Sequence, residues 1–260
     1  MISRVLGIYR ESGFDGLAWR LASFSYKRFL RPVLPNSGHI RYAGVVIGCR
    51  KFGDWLLPSL YNPPDVADVP DYEEALVTAI KRQAKGGDTV VVVGGGLGVT
   101  CVIAAWAAGG AGRVECFEGD RKGVDAVGRV ARDNGVAGQI TVHHAVVATN
   151  IAVYGNTVSN IVVQPEELPP CDFLELDCEG AEINILRDMK IMPRSIAVET
   201  HGVFGAPTDK VYSLLRARGY EVEDLGWAEP RYLDACQRND IRVLLGTLPP
   251  KLHPTLPSPG

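Results

Sequence analysis

The sequence predicts an α/β fold: a doubly wound, mostly parallel sheet of seven strands preceded by an N-terminal extension. From Asp88 onward, short apolar runs alternate with segments of helical periodicity, which is the order of βαβ units. The runs are rich in Val and show almost no polar alternation, as strands do when helices cover both faces of their sheet. A short connection joins the last two runs, YEVEDLG and IRVLLGTL, so we expect them to pair antiparallel at one edge.

The other elements follow in a regular order. The first three strands are TVVVVGGG, RVECFE and QITVHHAVV, with the helices VTCVIAAWAAG and RKGVDAVGRVARDNGV between them. Next come the strand DFLELD with its helix AEINILRDM, and then the strand RSIAVET with its helix DKVYSLLRARG. Ahead of the sheet we predict one or two strands in HIRYAGVVIG, a proline-rich loop over 58–70 and an amphipathic helix over 72–85.

We expect three parts in the chain: an extension over 1–85, a sheet domain over 86–247 and a tail over 248–260. The tail is rich in proline, which lacks a backbone N–H, so it cannot continue a helix or an internal strand and is predicted to be disordered. Residues 1–31 are predicted to be helical and carry six Lys and Arg against two acidic residues. Two interpretations of this segment stay open: a helix packed on its own domain, or a surface that contacts a membrane or a partner.

Composition excludes several classes of protein. Hydrophobic residues make up 46% and charged residues 22%, which disfavours a disordered, collagen-like or disulfide-bonded chain. The net charge of -3 offers no general attraction to nucleic acid, so no nucleic-acid partner is expected. The N-terminus lacks the apolar core of a signal peptide, and no apolar stretch approaches the roughly 20 residues of a membrane span, so we expect no integral membrane association.

The six cysteines form no CxxC pair and have no His at zinc-finger spacing. Most stand in or beside apolar runs, where Cys behaves as a small hydrophobic residue. We therefore expect structural thiols in a reducing cytoplasm, with a nucleophile or a metal ligand as the alternative.

A glycine-rich loop separates the first strand of the sheet from its helix. It contains Gly94, Gly95, Gly96 and Gly98. Glycines let a ligand approach the backbone, and a helix N-terminus offers free N–H groups with a partial positive charge, which suits a nucleotide-type cofactor. A tight strand-to-helix turn would require some of these glycines for structural reasons alone.

Glu118 ends the second strand, 24 residues after Gly94. A carboxylate in this position can accept hydrogen bonds from both ribose hydroxyls of an adenosine-containing cofactor. The dinucleotide pattern GxGxxG would need glycine at position 99, where Val99 stands. The observed GxGxG resembles the first motif of S-adenosylmethionine-dependent methyltransferases, and a nicotinamide-dependent oxidoreductase stays the alternative.

A longer resemblance begins at Asp172. The segment DFLELDCEGAE is similar to the D-x-L-K-x-D-x-E-G-x-E signature of the FkbM family of methyltransferases, and the Glu199-Thr200-His201 segment resembles the ExH that follows it in that family. Shorter likenesses occur at Asn134-Gly135, His144-Ala145-Val146 and residues 218–222. Over residues 86–247 the resemblance implies a class I methyltransferase-like Rossmann fold, S-adenosyl-L-methionine as cofactor, and O-methylation of a hydroxyl on a small molecule or glycan.

The chain departs from the family pattern at four positions. Family members usually carry Asp, Asn, Pro and Lys where this chain has Val92, Gly96, Gly119 and Glu175. In other family members the acid at the position of Val92 helps to organise the glycine loop. Its absence here keeps a non-catalytic nucleotide-binding protein open as a further alternative. Asp177 is expected to take over the contact with the ammonium group of the cofactor.

The resemblance and the glycine loop together imply the cofactor-binding residues. They are Gly94, Gly95, Gly96, Gly98, Glu118, Gly119, His144, Ala145 and Asp177.

The catalytic candidates follow the fourth and fifth strands, whose carboxyl ends meet at one edge of a parallel sheet. A hydroxyl must lose its proton to accept a methyl group, so we expect Glu179 or His201 to act as base, with Glu199 orienting His201 or the acceptor. Glu182 is interpreted as a helix-stabilising acid, and the alternative is that it converges on one site with Asp177 and Glu179. No metal is expected, and the alternative is a divalent cation held by Asp177, Glu179 and Glu199.

Overall fold

The computed structural model describes residues 15–16, 18–56, 68–148 and 161–249. The predicted tail over 248–260 lies outside the described residues from position 250 onward, and so do parts of the predicted N-terminal helix and of the proline-rich loop. The chain divides into two compact units. The first comprises Met1–Arg41 and Val46–Val69, and the second comprises Tyr42–Val45 and Pro70–Gly260.

The first unit combines a helical segment with a small sheet. Residues 18–25 are helical (α1) and continue into a π-helical turn, Tyr26–Leu30, and a 3-10 turn, Arg31–Val33. The strands β1 (Asn36–Tyr42), β2 (Val45–Lys51) and β3 (Asp68–Val69) pair in the order β2-β1-β3, and α2 spans Phe52–Leu56. The prediction of one or two strands in HIRYAGVVIG is confirmed, because β1 and β2 both form there. The prediction of a loop is wrong at β3, where two residues pair as a third strand.

The second unit contains the seven-stranded sheet that the sequence predicts. Its strands are β4 (Thr89–Val93), β5 (Arg113–Glu118), β6 (Ile140–His144), β9 (Phe173–Leu176), β10 (Ser195–Glu199), β11 (Glu221–Trp227) and β12 (Arg242–Thr247). They pair in the order β11-β12-β10-β9-β4-β5-β6. Only β12 runs against its neighbours β10 and β11, so the predicted antiparallel pair at the edge is confirmed. Outside this sheet, β7 (Val146–Val147) pairs with β8 (Val162–Val163).

Helices cover the sheet because the strands present apolar side chains on both faces. They are α3 (Glu74–Gln83), α4 (Val99–Ala108), α5 (Arg121–Asp133), α6 (Glu182–Asp188), α7 (Thr208–Ala217) and α8 (Leu233–Asn239). All five residues of β4 are buried, which is why this strand is a run of valines after its first residue. None of the helices in the described ranges has the length and apolar character needed to cross a bilayer.

The topology fixes where a ligand can bind. β5, β4, β9 and β10 are consecutive neighbours and run parallel, so their carboxyl ends lie along one edge of the sheet. The glycine loop, Glu118, Asp177 and Glu199 follow or end these four strands. The predicted site residues are therefore brought to the same edge, the usual ligand-binding position of open α/β sheets.

Candidate active site

A cavity of about 570 Å³ opens at this edge of the sheet, a volume typical of small-ligand sites. Most of the predicted cofactor-binding residues line it: Gly94, Gly96, Glu118, Gly119, Ala145 and Asp177. Gly95, Gly98 and His144 are not among its lining residues. His144 instead forms a hydrogen bond with the carbonyl oxygen of Gly119 at 3.1 Å. The assignment of these residues to cofactor binding stays a prediction.

Two glycines of the loop are required by the packing of the sheet. Gly94 has a φ of +98°, and a Cβ atom on it would overlap the carbonyl oxygen of Asp177. Gly98 has a φ of +88°, and its Cβ would lie 2.9 Å from the Cα of Val127 in α5. The loop can therefore press against the end of β9 on one side and against α5 on the other.

Glu118 holds the glycine loop in place. Its Oε2 accepts hydrogen bonds from the N–H groups of Gly95 and Gly96, both at 2.9 Å, and its Oε1 accepts one from Asp120 at 2.7 Å. Three of about four acceptor positions on the carboxylate are thus in use. Glu118 therefore organises the glycine loop, which is the role that the resemblance assigns to the family's acid at position 92.

Two departures from the family signature lie side by side. Val92 in β4 stands opposite Glu175 in β9. The Glu175 side chain is buried, and no hydrogen-bond partner of its Oε2 is found among the described residues. Burial raises the pKa of Glu175 to about 8, against the lowering effect of a hydrogen bond from Thr100. This carboxyl is therefore largely protonated near neutral pH, which limits the cost of burying it without a cationic partner.

His201 is fixed by its backbone and by one ring nitrogen. Its N–H donates to the carbonyl oxygen of Ala206 at 3.0 Å, and the N–H of Ala206 donates back at 3.1 Å. Its Nδ1 lies 2.7 Å from Oε1 of Glu182. The side chain of His201 is 7% exposed and that of Glu182 is fully buried, so this is a desolvated imidazole–carboxylate pair.

The pairing of Glu182 with His201 is a contact that the sequence interpretation did not assign. Oε2 of Glu182 accepts a hydrogen bond from the N–H of Gly180 at 2.8 Å, so the turn after β9 holds the carboxylate. The interpretation as a helix-stabilising acid is incomplete, because the side chain also orients His201. A three-residue spacing from Glu179 was the available signal, but an acid in the first turn of a helix has an ordinary explanation.

The other ring nitrogen of His201 faces two further carboxylates. Its Nε2 lies 3.6 Å from Oδ1 of Asp177 and 3.6 Å from Oε1 of Glu199, distances too long for good hydrogen bonds. Because Asp177 lines the cavity, this group of three side chains adjoins the predicted cofactor site. Glu179 also lines the cavity, with an exposed side chain and a φ of +50°.

The carboxylates of this region are packed closely enough to change one another's protonation. Burial and then the charge of Asp177 raise the pKa of Glu199 to about 10. Burial also raises the pKa of Asp177 to about 6, although the charge of His201 opposes this. Burial alone would lower the pKa of His201, but the hydrogen bond with Glu182 and the nearby acids raise it above its usual value.

Glu73 and Glu229 also belong to this acidic region, although neither is part of a sequence motif. Glu73 precedes α3 in a left-handed conformation with a φ of +45°, and its N–H donates to Oε1 of Glu229 at 3.1 Å. Burial, followed by the charge of Asp177, raises the pKa of Glu73 to about 8. The two residues are 156 positions apart, so only the folded chain brings them together.

Asp177, Glu199 and His201 could also hold a metal ion. Each offers one ligand atom, and the three atoms lie within 4.8 Å of one another. The predicted cation ligands were Asp177, Glu179 and Glu199, so among the residues that the structure describes, His201 takes the place given to Glu179.

A glycine loop at a strand end, a carboxylate on the next strand and a cavity beside buried acid–base groups define an α/β enzyme that binds a nucleotide-type cofactor. Residues 105–222 match the model of the methyltransferase FkbM domain. Residues 105–222 therefore form a methyltransferase FkbM domain, and the predicted resemblance to that family is confirmed over this segment. The matched segment is shorter than the predicted resemblance over 86–247, but it contains Glu118, Asp177, Glu182, Glu199 and His201.

Solved structures of methyltransferases are similar to this chain. A SAM-dependent O-methyltransferase from Thermotoga maritima is 15% identical with a TM-score of 0.47, covering 82% of this chain and 78% of the other. An O-methyltransferase from Bacillus cereus in complex with SAH is 13% identical with a TM-score of 0.44, covering 74% and 87%. The ribosomal protein L11 methylase from Lactobacillus delbrueckii is 12% identical with a TM-score of 0.48, covering 69% and 80%. No curated protein sequence matches the chain.

Proposed function

We propose that this protein is an S-adenosylmethionine-dependent O-methyltransferase in which His201 removes the proton of the acceptor hydroxyl. The acceptor class is a small molecule or a glycan, as the family resemblance implies. The observation that carries the proposal is the buried 2.7 Å pair of His201 and Glu182, whose free ring nitrogen faces the carboxylate of Asp177 at the edge of the cavity.

The residues around the cavity fit S-adenosylmethionine. Glu118 keeps an acceptor position for a ribose hydroxyl, and the carboxylate of Asp177 suits the ammonium group of the methionine moiety. The side chains of Leu97, Phe117 and Val146 offer apolar surface beside them. When bound, the cofactor supplies an electrophilic methyl group on a sulfonium, so the protein has to position an acceptor oxygen in line with it and keep water out.

His201 has the properties of a general base. Nε2 can take the proton of a hydroxyl, and the carboxylate of Glu182 stabilises the resulting imidazolium through Nδ1–H. Glu199 does not compete for this proton in our account. With a pKa near 10 it is a neutral acid at physiological pH, and it can donate a hydrogen bond that orients the acceptor or His201.

A second way of activating the hydroxyl rests on the same side chains. Because Asp177, Glu199 and His201 offer three ligand atoms within 4.8 Å, a divalent cation there could lower the pKa of a bound hydroxyl. In that case His201 would serve as a ligand instead of a base.

Calorimetric titration tests the cofactor. We expect S-adenosylhomocysteine to bind and NADH not to bind. Tight NADH binding with no response to S-adenosylhomocysteine would favour the oxidoreductase alternative and overturn the proposal.

Glu118→Ala should weaken S-adenosylhomocysteine binding by about 1.5 to 3 kcal/mol, the usual worth of a hydrogen bond to a charged group. Glu115→Gln, on the same strand but outside the cavity lining, is the matched control and should bind as the parent does.

A screen for turnover separates an enzyme from a non-catalytic binding protein. Methyl transfer from labelled S-adenosylmethionine would be followed into glycans, lipids and small alcohols. Transfer to at least one hydroxyl acceptor is expected, and transfer only to amines would contradict O-methylation.

We also propose a reducing cytoplasm as the location of the protein, because its six cysteines are all free thiols.

A further inference from the structure

The positive charge of this protein is concentrated near its N-terminus. Residues 18–56 contain seven Lys and Arg and a single acidic residue, Asp54, although the whole chain has a net charge of -3. The rest of the chain is therefore distinctly acidic. Such asymmetry favours this region as the surface that meets an anionic partner.

The same stretch exposes large apolar side chains. Six of the sixteen exposed large hydrophobic side chains in the described residues lie within positions 19–33, and they are 48–77% exposed. Phe24 and Phe29 pack edge to face with ring centroids 6.4 Å apart while remaining 60% and 68% exposed. We call these six residues, together with Arg20, Lys27 and Arg28, the N-terminal face. Its apolar members are Trp19, Leu21, Phe24, Phe29, Leu30 and Val33.

Tyr26 and Arg31 attach this helical segment to the rest of the first unit. The buried hydroxyl of Tyr26 donates to Asp54 at 2.9 Å, and Arg31 bonds both oxygens of that carboxylate through Nε and Nη2 at 2.9 and 3.0 Å. The N–H of Lys51 adds a bond of 2.8 Å. Burial raises the pKa of Asp54, but these hydrogen bonds lower the pKa by more, so the net shift is downward. The carboxylate therefore stays charged and keeps the segment in place.

We propose that the N-terminal face binds the surface of a membrane that contains anionic lipids. Trp, Phe and Leu side chains insert at the boundary between headgroups and acyl chains, and Lys and Arg are attracted to the negative surface. A nucleic acid could pair with the cations, but it would leave Leu21, Leu30 and Val33 in water. A membrane surface satisfies both sets of side chains. The inference does not rest on the proposed enzymatic function.

Vesicle sedimentation tests this proposal with the full chain. The protein should sediment with vesicles of phosphatidylcholine containing about one third phosphatidylserine, and this binding should weaken as salt is raised. Vesicles of phosphatidylcholine alone should bind it much less. Equal binding to both kinds of vesicle, or binding to neither, would overturn the proposal, as would retention on single-stranded RNA by a protein that ignores the vesicles.

Two double variants separate the apolar and the charged contributions. Phe24→Ser with Phe29→Ser, and Arg20→Glu with Arg28→Glu, should each weaken vesicle binding by about tenfold or more. All four positions are exposed, so the fold should survive, and circular dichroism checks this. Tyr232→Ser with Leu233→Ser removes two exposed hydrophobic side chains from the second unit and should bind as the parent does. Parental binding by both N-terminal variants would refute the assignment of this face.

Discussion

Two histidine–glutamate pairs in the second unit have the same length and different surroundings. His143 in β6 lies 2.7 Å from Glu115 in the neighbouring strand β5, and His201 lies 2.7 Å from Glu182. The His143 side chain is 41% exposed, whereas that of His201 is 7% exposed. The length of the contact therefore does not distinguish the half-exposed pair from the buried one.

The ring nitrogen that each glutamate engages separates the two pairs further. Glu115 engages Nε2 of His143, whose ring stacks on Phe117 at a centroid distance of 4.7 Å. Glu182 engages Nδ1 of His201 and leaves Nε2 facing Asp177 and Glu199. We propose that burial, together with the orientation of Nε2 toward the cavity edge, suits His201 to proton transfer.

The largest expected effect is on turnover when the imidazole is removed. His201→Asn should lower the single-turnover rate of methyl transfer by about 10² to 10⁴-fold and leave S-adenosylhomocysteine affinity nearly unchanged. His143→Asn is the matched control and should change the rate by less than about threefold. If the two variants lose activity to the same extent, the contrast between the pairs has no catalytic meaning.

A smaller effect is expected when only the positioning carboxylate is changed. Glu182→Gln should lower turnover by about 10 to 100-fold, since an amide orients the ring but stabilises the imidazolium less. Activity falls at low pH as His201 becomes protonated, and Glu182 raises the pKa of His201. The acidic limb of the pH–rate profile should therefore move to lower pH in this variant.

Glu115→Gln serves as the control for that shift and should leave the profile unchanged. Rescue of the rate in a Glu182→Asp variant, with the profile returned toward that of the parent, would support a positioning role. A profile that does not move in Glu182→Gln would instead indicate that the residue acts only on folding.

A still smaller effect is expected at Glu199. With its pKa near 10 this side chain is a neutral hydrogen-bond donor at pH 7, and the amide of Gln is also a neutral donor. Glu199→Gln should therefore keep the turnover within about fivefold of the parent's at neutral pH. A loss comparable with that of His201→Asn would mean that Glu199 acts as a charged base or as a metal ligand.

The smallest effect is expected from removing divalent cations. If His201 is the base, chelation with EDTA should leave turnover within about twofold of its starting value. Loss of activity in EDTA that Mg²⁺ or Mn²⁺ restores would show that Asp177, Glu199 and His201 act as a metal site.

Much of the fold could be predicted from short-range pattern. Unbroken valine runs such as that of β4 identify buried parallel strands, and the alternation with helices identifies the topology. β3 could not be predicted, because two residues have no periodicity and their pairing is decided by the chain around them. The predicted order of the strands already places Glu118, Asp177, Glu199 and His201 at one edge of the sheet.

The sequence could not reveal how the site residues interact. Glu182 has a sufficient local explanation as a helix-terminal acid, so its contact with His201 across 19 positions is invisible to motif analysis. Glu73 and Glu229 lie in segments without motifs and meet only through tertiary packing. The hydrogen bonds from the glycine loop to Glu118 could not be predicted either, because a backbone N–H carries no sequence signal for its acceptor.

The central claim is that Glu182 tunes a buried His201, and NMR titration of the histidine side chains tests it without knowledge of the acceptor. Our account predicts that His201 titrates above the usual histidine pKa in the parent, with the proton of the neutral form on Nδ1, and that Glu182→Gln lowers this pKa. The same pKa in parent and variant, or a neutral form protonated on Nε2, would contradict it.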